Sequence, residues 1–190
     1  DIRSQFYASS EWTSGYPAAT GIGTQHGGIL VDFNAVKGGI EIIPLDNDWQ
    51  KAAHVYSDEV LISHRTDAEK GTPKFERGKS LSDYQCEMIY ISGTAAIRGE
   101  ESIVTGDVLV QTEITLENIQ HLIGLEEGRE KLPEHSGKLE LLRVYLKHEE
   151  DAKIVKEDMD KLCPDVPIVY LYADVCREEL LVEIEGIAYL

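Results

Sequence analysis

Two glutamates near the carboxyl end of the chain are the residues best suited to do chemistry. Glu183 and Glu185 lie two positions apart within the apolar segment 182–188. Because alternate residues of a β-strand share a face, both carboxylates are expected on one face, opposite Val182 and Ile184. A carboxyl group in an apolar strand is costly unless it is paired or functional, and burial makes it a usable acid. Glu183 is therefore a candidate general acid; the alternative is a solvent-facing residue or a partner of a nearby lysine.

The other reactive residue types give weaker patterns. Three cysteines, Cys86, Cys163 and Cys176, cannot all pair within the chain and have no CxxC spacing, which favours a reduced, cytoplasmic setting. The six histidines lack metal-ligand spacing, and Gly21-Ile22-Gly23 is followed by no strand-loop-helix context for a dinucleotide. We therefore predict neither a metal site nor a cofactor.

Charge limits the classes of partner. The 190 residues include 18 Lys and Arg against 35 Asp and Glu, giving a formal net charge of -17. This balance argues against a nucleic-acid surface, which needs a basic stripe, and against an anionic membrane. No apolar run approaches the roughly 18–20 residues that span a bilayer. A small anionic substrate remains compatible, since a few arginines in one pocket suffice to bind it.

The elements that must position these residues are clearest after residue 82. Hydrophobic periodicity there predicts the order β-α-β-α-β-β, with strands at 88–92, 139–146, 166–175 and 180–189. The first helix has Thr105 as its candidate N-cap and ends at Gly124, and the second covers 149–162. Before residue 82 we expect strands at 29–33 and 40–43, a helical turn or two over 48–56, and a long connection over 63–82. The fold class is α+β, a mixed β-sheet with two helices packed on one face, preceded by a smaller β-rich segment.

Several of these segments resemble one superfamily. Ile91-Ser92-Gly93, the helix segment 107–119 and the closing strand 182–188 are similar to the RidA/YjgF superfamily, also called the endoribonuclease L-PSP family. The resemblance covers about residues 75–190 and implies a chorismate-mutase-like sheet and a homotrimer with ligand sites between subunits. It suggests a β-rich segment over residues 1–73 and a RidA-like domain over 74–190. A ribonuclease activity fits poorly with the charge of -17.

Within that superfamily the chain most resembles the chorismatases. The similar segments are 74–78, which contains a Phe-x-Arg element, 93–97, which forms a Gly-Thr-Ala loop, 143–145 (Arg143-Val144-Tyr145), and 174–177. In the last of these, Cys176 precedes Glu183 by seven residues. The loop 15–23 also looks like a chorismatase segment, from the half that precedes the RidA-like core. This implies that residues 1–73 are the tail of an N-terminal RidA-like half.

The resemblance implies a hydrolase that cleaves the enolpyruvyl ether of chorismate or a related cyclic carboxylic acid. Glu183 would protonate the methylene carbon, and Cys176 would act as a nucleophile or line the pocket and help choose the aromatic product. The implied substrate-binding residues are Arg77, Arg143, Gly93 and Thr94, with Arg98 and Arg177 as weaker candidates. The residues alone also allow plainer roles: surface ion pairs for the arginines, a small buried side chain for the cysteine, and a strand-ending turn for Gly93 and Thr94.

Two other functions stay open at this point. One is a RidA-like enamine or imine deaminase, whose members carry a carboxylate-binding arginine shortly after the proline that follows the second helix. Counting from Pro167, this chain has Val169 there, which argues against a deaminase. The other is a non-catalytic small-molecule binding protein of the same superfamily, in which Glu183 would be exposed.

Overall fold

The computed structural model describes residues 5–7, 15–61, 71–83, 87–124 and 138–189. Its strands and longer helices are, in chain order, β1 (Glu41–Leu45), β2 (Gly78–Ser82), β3 (Glu87–Thr94), β4 (Ile97–Arg98), β5 (Glu101–Ser102), α1 (Val108–Ile123), β6 (Lys138–Leu146), α2 (Ala152–Leu162), β7 (Ile168–Tyr172) and β8 (Val182–Tyr189). Short 3₁₀ turns occupy Ala53–Val55 and Glu149–Asp151.

Six of these strands form one mixed sheet in the order β1-β2-β3-β8-β6-β7. Only β6 and β7 run parallel, and α2 is the crossover between them, because parallel neighbours cannot be joined by a tight turn. The last strand, β8, lies in the middle of the sheet between β3 and β6. The α+β mixed sheet is therefore confirmed, and its central strand is the one that carries the two glutamates.

The first strand joins the same sheet. Strand β1 pairs antiparallel with β2, from Glu41 opposite Ser82 to Leu45 opposite Gly78. Residues of the segment 1–73 thus supply one edge strand of the sheet formed by the rest of the chain. The boundary between residues 73 and 74 stays a prediction.

The hydrophobic core lies between the sheet and the two helices. Its side chains come from every layer: Ile89 and Ile91 of β3, Leu116, Ile119 and Ile123 of α1, Val144 of β6, Val155 and Met159 of α2, and Val182 and Ile184 of β8. Each fully buried side chain of this size contributes about 1.5–3 kcal/mol relative to exposure. One face of the sheet is therefore covered by the helices, and polar groups can lie on the opposite face.

Local sequence signals set the ends of α1. The Asp107 carboxylate accepts hydrogen bonds from the backbone N–H groups of Leu109 (2.9 Å) and Val110 (3.4 Å), and Gly124 ends the helix in the left-handed region at φ 72°. The end at Gly124 is as predicted, but the N-cap is Asp107 and not Thr105. The Thr105 hydroxyl accepts a hydrogen bond from the Asp107 N–H at 3.3 Å, one step outside the helix.

The sequence-based expectations failed where no neighbouring strand is available. Residues 29–33 form no strand, and Ile29 and Leu30 are 93% and 88% exposed, because β-branched composition alone does not supply a hydrogen-bonding partner. The expected connection over 63–82 contains β2, while its residues 63–70 lie outside the described ranges. In the described part of the chain, no helix has the length and apolar character needed to cross a bilayer.

Replacing Asp107 with alanine removes the acceptor for two backbone N–H groups at the start of α1. We expect the free energy of unfolding to fall by about 1 kcal/mol, the usual effect of losing an N-cap. Denaturant unfolding followed by circular dichroism measures this change. Thr105→Ala is the matched control and should destabilise the protein less; an equal or larger loss in that variant would show that the wrong residue has been identified as the cap.

Candidate functional site

The two glutamates lie on the polar face of the central strand. Val182 and Ile184 are fully buried on the helix side, while Glu183 and Glu185 point to the other side, as the alternation predicts. Glu183 is nevertheless only 8% exposed, which excludes the solvent-facing alternative. On the neighbouring strand β6, Tyr145 is directly opposite Glu183.

The surroundings of Glu183 favour its neutral form. Burial is the largest effect and the negative charge of Glu185 the second, and together they raise the pKa of Glu183 from 4.5 to about 8. The positive charge of Arg77 opposes them. At neutral pH the carboxyl group is thus mostly protonated, as a proton donor must be.

Gly93 makes room for this carboxyl group. A Cβ atom at Gly93 would collide with Glu183 Oε1 and would lie 2.7 Å from Thr20 Cγ2. The Gly93 N–H donates a hydrogen bond to Thr20 Oγ1 at 2.8 Å, so it is not an open donor for a ligand. Thr94 is also occupied, because its buried hydroxyl donates to Gln50 Oε1 at 3.2 Å. Both donors thus have internal acceptors in this arrangement, and the substrate-binding role of Gly93 and Thr94 stays a prediction.

The loop 15–23 forms a wall beside Glu183 and Gly93. Hydrogen bonds fasten it to strand β3 and to the segments next to β2 and β7. They include Glu76 N–H to Pro17 O (3.0 Å), Ala19 N–H to Ser92 Oγ (2.9 Å), and the reciprocal pair between the backbones of Gly23 and Asp174 (3.0 Å each). These bonds hold Thr20 against Gly93. The sequence of this loop resembles a family segment, but nothing in its local pattern shows which distant residue Thr20 touches.

Cys176 borders the same region. Its thiol donates to the carbonyl of Gly21 in the loop at 3.0 Å. Although the residue as a whole is exposed, burial of the thiol raises its pKa, and the charges of Glu183 and Asp174 raise it further. The thiol therefore stays protonated at neutral pH, which suits a wall residue better than a nucleophile.

Arg77 is the buried cation of the site. It is 4% exposed, and its Nη2 donates to Lys51 O at 2.7 Å and to the Tyr56 hydroxyl. Its Nε is buried and makes no hydrogen bond to any residue that the structure describes. Since buried donors are normally paired, this N–H is an open position for an anionic acceptor.

Arg143 has a different environment from the one expected for a substrate-binding residue. Its Nη1 donates to Glu185 Oε1 at 2.8 Å, and its Nη2 lies 3.8 Å from Asp32 Oδ2. The Tyr145 hydroxyl donates to the same Glu185 oxygen at 2.7 Å. The structure thus places Arg143 near Glu183 on the sheet, but its ion pair is with Glu185.

The two weaker arginine candidates separate as well. Arg98 forms an ion pair with Glu117 at 2.7 Å. Arg177 lies near Arg77, because the guanidinium carbon of each arginine is 5.6 Å from the centroid of the Tyr56 ring. Tyr56, which no motif singled out, therefore contacts both cations.

Two further structural findings delimit the site. Among the residues described, no group of three or more His, Cys, Asp or Glu side chains is arranged to hold a metal ion. A cavity of about 420 Å³ is lined by residues that include Asp48, Gln50 and His121. None of the residues predicted for the site lines that cavity, so burial and contacts around Glu183 define the candidate site instead.

Comparison with known proteins identifies relatives of the chain. No protein-family model matches it. It is 35% identical over 179 residues to a chorismatase of Streptomyces rapamycinicus, covering 90% of this chain and 50% of that protein. It is 33% identical over 185 residues to a 3-hydroxybenzoate synthase of Streptomyces hygroscopicus, again covering 90% of this chain and 50% of the relative. The chain thus spans about half the length of the curated relatives it matches.

Solved structures agree with these relatives. A chorismatase crystal structure superposes with a TM-score of 0.67 at 27% identity, over 90% of this chain and 50% of that one. A putative endoribonuclease L-PSP from Entamoeba histolytica superposes with a TM-score of 0.52 at 12% identity, over 79% of this chain and all of that one (100%), which shows a shared fold alone. The chain is therefore a homologue of the chorismatases, built on the RidA/YjgF fold.

Proposed function

We propose that this protein is a chorismatase-like hydrolase that cleaves the enolpyruvyl ether of chorismate or a related cyclic carboxylic acid. Homology to chorismatases over 90% of the chain supports the reaction class. The observation that carries the proposal is the Glu183 carboxyl group, buried on the central strand with its pKa raised to about 8. Such a group holds a proton at neutral pH and can deliver it to a bound substrate.

The reaction follows from the chemistry of an enol ether. Glu183 donates its proton to the methylene carbon of the enolpyruvyl group, which leaves an oxocarbenium ion. Water adds to the oxocarbenium carbon and returns a proton to the Glu183 carboxylate. The resulting hemiketal then breaks the bond between its central carbon and the ether oxygen of the ring; its hydroxyl loses a proton and becomes the keto group of pyruvate, and the ring oxygen takes up that proton to become the ring alcohol. The acid is regenerated, so one carboxyl group serves both proton transfers.

The substrate carboxylates require cationic partners. Arg77 supplies a buried guanidinium with an open Nε–H, and Arg177 lies on the same tyrosine ring. A guanidinium N–H donates a strong, charge-assisted hydrogen bond to a carboxylate, and Nε–H is the donor that Arg77 has open. Arg143 is a poorer candidate for this task because Glu185 already accepts its hydrogen bond. We therefore assign carboxylate binding to Arg77 and place Cys176 in the wall of the same site.

The observations do not favour a deaminase. Val169, at the position where deaminases of the superfamily have a carboxylate-binding arginine, lies on edge strand β7 and is 47% exposed. It offers no donor to a substrate. The homotrimer implied by the resemblance stays a prediction, and the exposed apolar side chains of Val169 and Leu171 are surfaces that such an assembly would cover.

Replacing Glu183 with glutamine keeps the shape of the side chain and removes the acid. We expect pyruvate release from chorismate to fall by roughly a hundredfold or more, the usual contribution of a general acid. A coupled lactate dehydrogenase assay measures the pyruvate. Glu140→Gln, an exposed change on β6, is the matched control and should leave the rate unchanged. A folded, unmutated chain that releases no pyruvate would refute the proposed reaction, and imine deamination would then be assayed.

Activity should depend on pH through the protonated form of Glu183. Its pKa of about 8 means that this form predominates below pH 8 and is lost above it, so kcat/KM should fall tenfold per pH unit on the alkaline side. An ordinary glutamate, with a pKa of 4.5, would give the descending limb near that value instead. The pH profile of pyruvate release distinguishes the two, and a limb near 4.5 would contradict the role of burial.

Replacing Gly93 with alanine should displace the acid without removing it, because the new methyl group collides with Glu183 Oε1. We expect kcat to fall by roughly tenfold to a hundredfold, the effect of misplacing a catalytic group by about 1 Å. Gly21→Ala is the control, since a methyl group there meets no atom within 4 Å. Equal activity in both variants, measured as pyruvate release, would show that the close approach of Gly93 and Glu183 does not matter for catalysis.

A further inference from the structure

Glu185 is the nearest charged neighbour of the proposed acid on its own strand. Both side chains leave β8 on the same face, two residues apart, and neither lies on the helix side of the sheet. The Glu185 side chain is 14% exposed. Two carboxyl groups so close in a partly dry environment are difficult to ionise together, so one of them tends to keep a proton.

The hydrogen bonds of the two carboxyl groups differ sharply. Glu185 Oε1 accepts from Arg143 Nη1 at 2.8 Å and from the Tyr145 hydroxyl at 2.7 Å. Both donors come from β6, whose register sets Arg143 directly opposite Glu185 and Tyr145 opposite Glu183. A guanidinium and a hydroxyl donating to one oxygen stabilise the carboxylate form. Glu183 accepts neither of these hydrogen bonds, so the ionised member of the pair is Glu185.

The other groups around Glu183 do not favour its protonated form. Arg77, before β2, favours the ionised form of Glu183, and the Cys176 thiol, in the turn before β8, is itself protonated. Tyr145, from β6, is neutral, because burial and its bond to Glu185 raise its pKa. Gly93 and Thr20, from β3 and the loop, carry no charge. Glu185 is therefore the charged neighbour that favours a protonated Glu183, and burial is the other cause.

We propose that Glu185, held as a carboxylate by Arg143 and Tyr145, is a positioning residue that keeps the proton on Glu183. This inference rests on the proposed function of Glu183 as the general acid. It gives Arg143 a different role from carboxylate binding, since its guanidinium fixes which of the two glutamates is charged. It also gives a reason for an acidic residue at position 185, where a neutral side chain would suit a strand equally well.

The test is to remove the charge of Glu185 and follow the titration of Glu183. In Glu185→Gln the amide keeps the size of the side chain. We expect the titration midpoint of Glu183, and the alkaline limb of kcat/KM for chorismate, to move down by about one pH unit. Carbon-13 NMR of labelled glutamate carboxyl groups measures the titration, with the Glu183→Gln spectrum assigning the signal. Glu140→Gln, which removes one charge from the exposed end of β6, should leave both midpoints unmoved.

Two further variants separate charge from packing. Glu185→Asp keeps the charge and should retain most of the upward displacement of the midpoint. The double variant Glu185→Gln with Arg143→Gln removes both members of the ion pair, so the guanidinium is not left opposite an amide. In it the titration midpoint of Glu183 should fall by the same amount as in Glu185→Gln. The double variant also serves if the single variant does not fold.

The possible results distinguish this inference from the proposed function. A midpoint that is unmoved in the glutamine variants overturns the positioning role, even where chorismate is cleaved normally. A loss of rate in Glu185→Gln with no change in the pH profile also overturns it, because a purely structural role gives that result. A midpoint that moves as expected in a protein that releases no pyruvate supports the pairing of the two carboxyl groups and refutes the hydrolase.

Discussion

The burial of one carboxyl group on the central strand is the constraint on which the candidate site depends. Glu183 is 8% exposed between two neighbouring strands, and its proton is retained because a charge there is poorly solvated. The space for its carboxyl group exists only because residue 93 is a glycine. Enclosure by the loop 15–23 completes the wall. Each of these features would be hard to explain as packing alone, since an apolar residue at position 183 would fill the same place at lower cost.

The opposite face of the sheet makes this arrangement tolerable. Val182 and Ile184 are fully buried against the helices, so the same strand that carries the glutamates is anchored by its alternate residues. Strand β8 is also hydrogen-bonded on both edges, by β3 and β6. A strongly anchored central strand can hold an unfavourable carboxyl group because the apolar contacts of its neighbours offset the penalty. Placing an acid there also fixes its position, which a mobile loop would not do.

A protein of net charge -17 can still bind an anion if its cations are concentrated. Arg77 and Arg177 lie at equal distances from the Tyr56 ring, and Arg77 is almost fully buried. In a partly dry site their charges are screened much less than those of surface residues. The charge of Arg77 works against a protonated Glu183, so the proposed acid and the proposed anion site compete electrostatically. The chain balances them by burying Glu183 and by placing a second carboxylate beside it.

Much of this could be predicted from the sequence. The period-two alternation at 182–186 determined which face each glutamate occupies, because successive strand residues point to opposite sides. Hydrophobic periodicity predicted the order of the longer elements after residue 82 but not the short strands β4 and β5. Gly124 marked the end of α1, since its left-handed backbone suits glycine. Local similarity also identified the chorismatase relatives. These features depend on residues close together in the chain, so they can be predicted from the amino-acid sequence.

Only the tertiary structure decided the partners of those residues. The resemblance predicts substrate binding for Arg143, whereas the register of β6 against β8, which sets Arg143 opposite Glu185, is known only from the fold. Thr20 became part of the site because hydrogen bonds from distant segments hold its loop against Gly93. Residues 29–33 have the composition of a strand and yet form none. Cross-strand register and loop placement depend on contacts between segments far apart in the chain, and no local pattern encodes them.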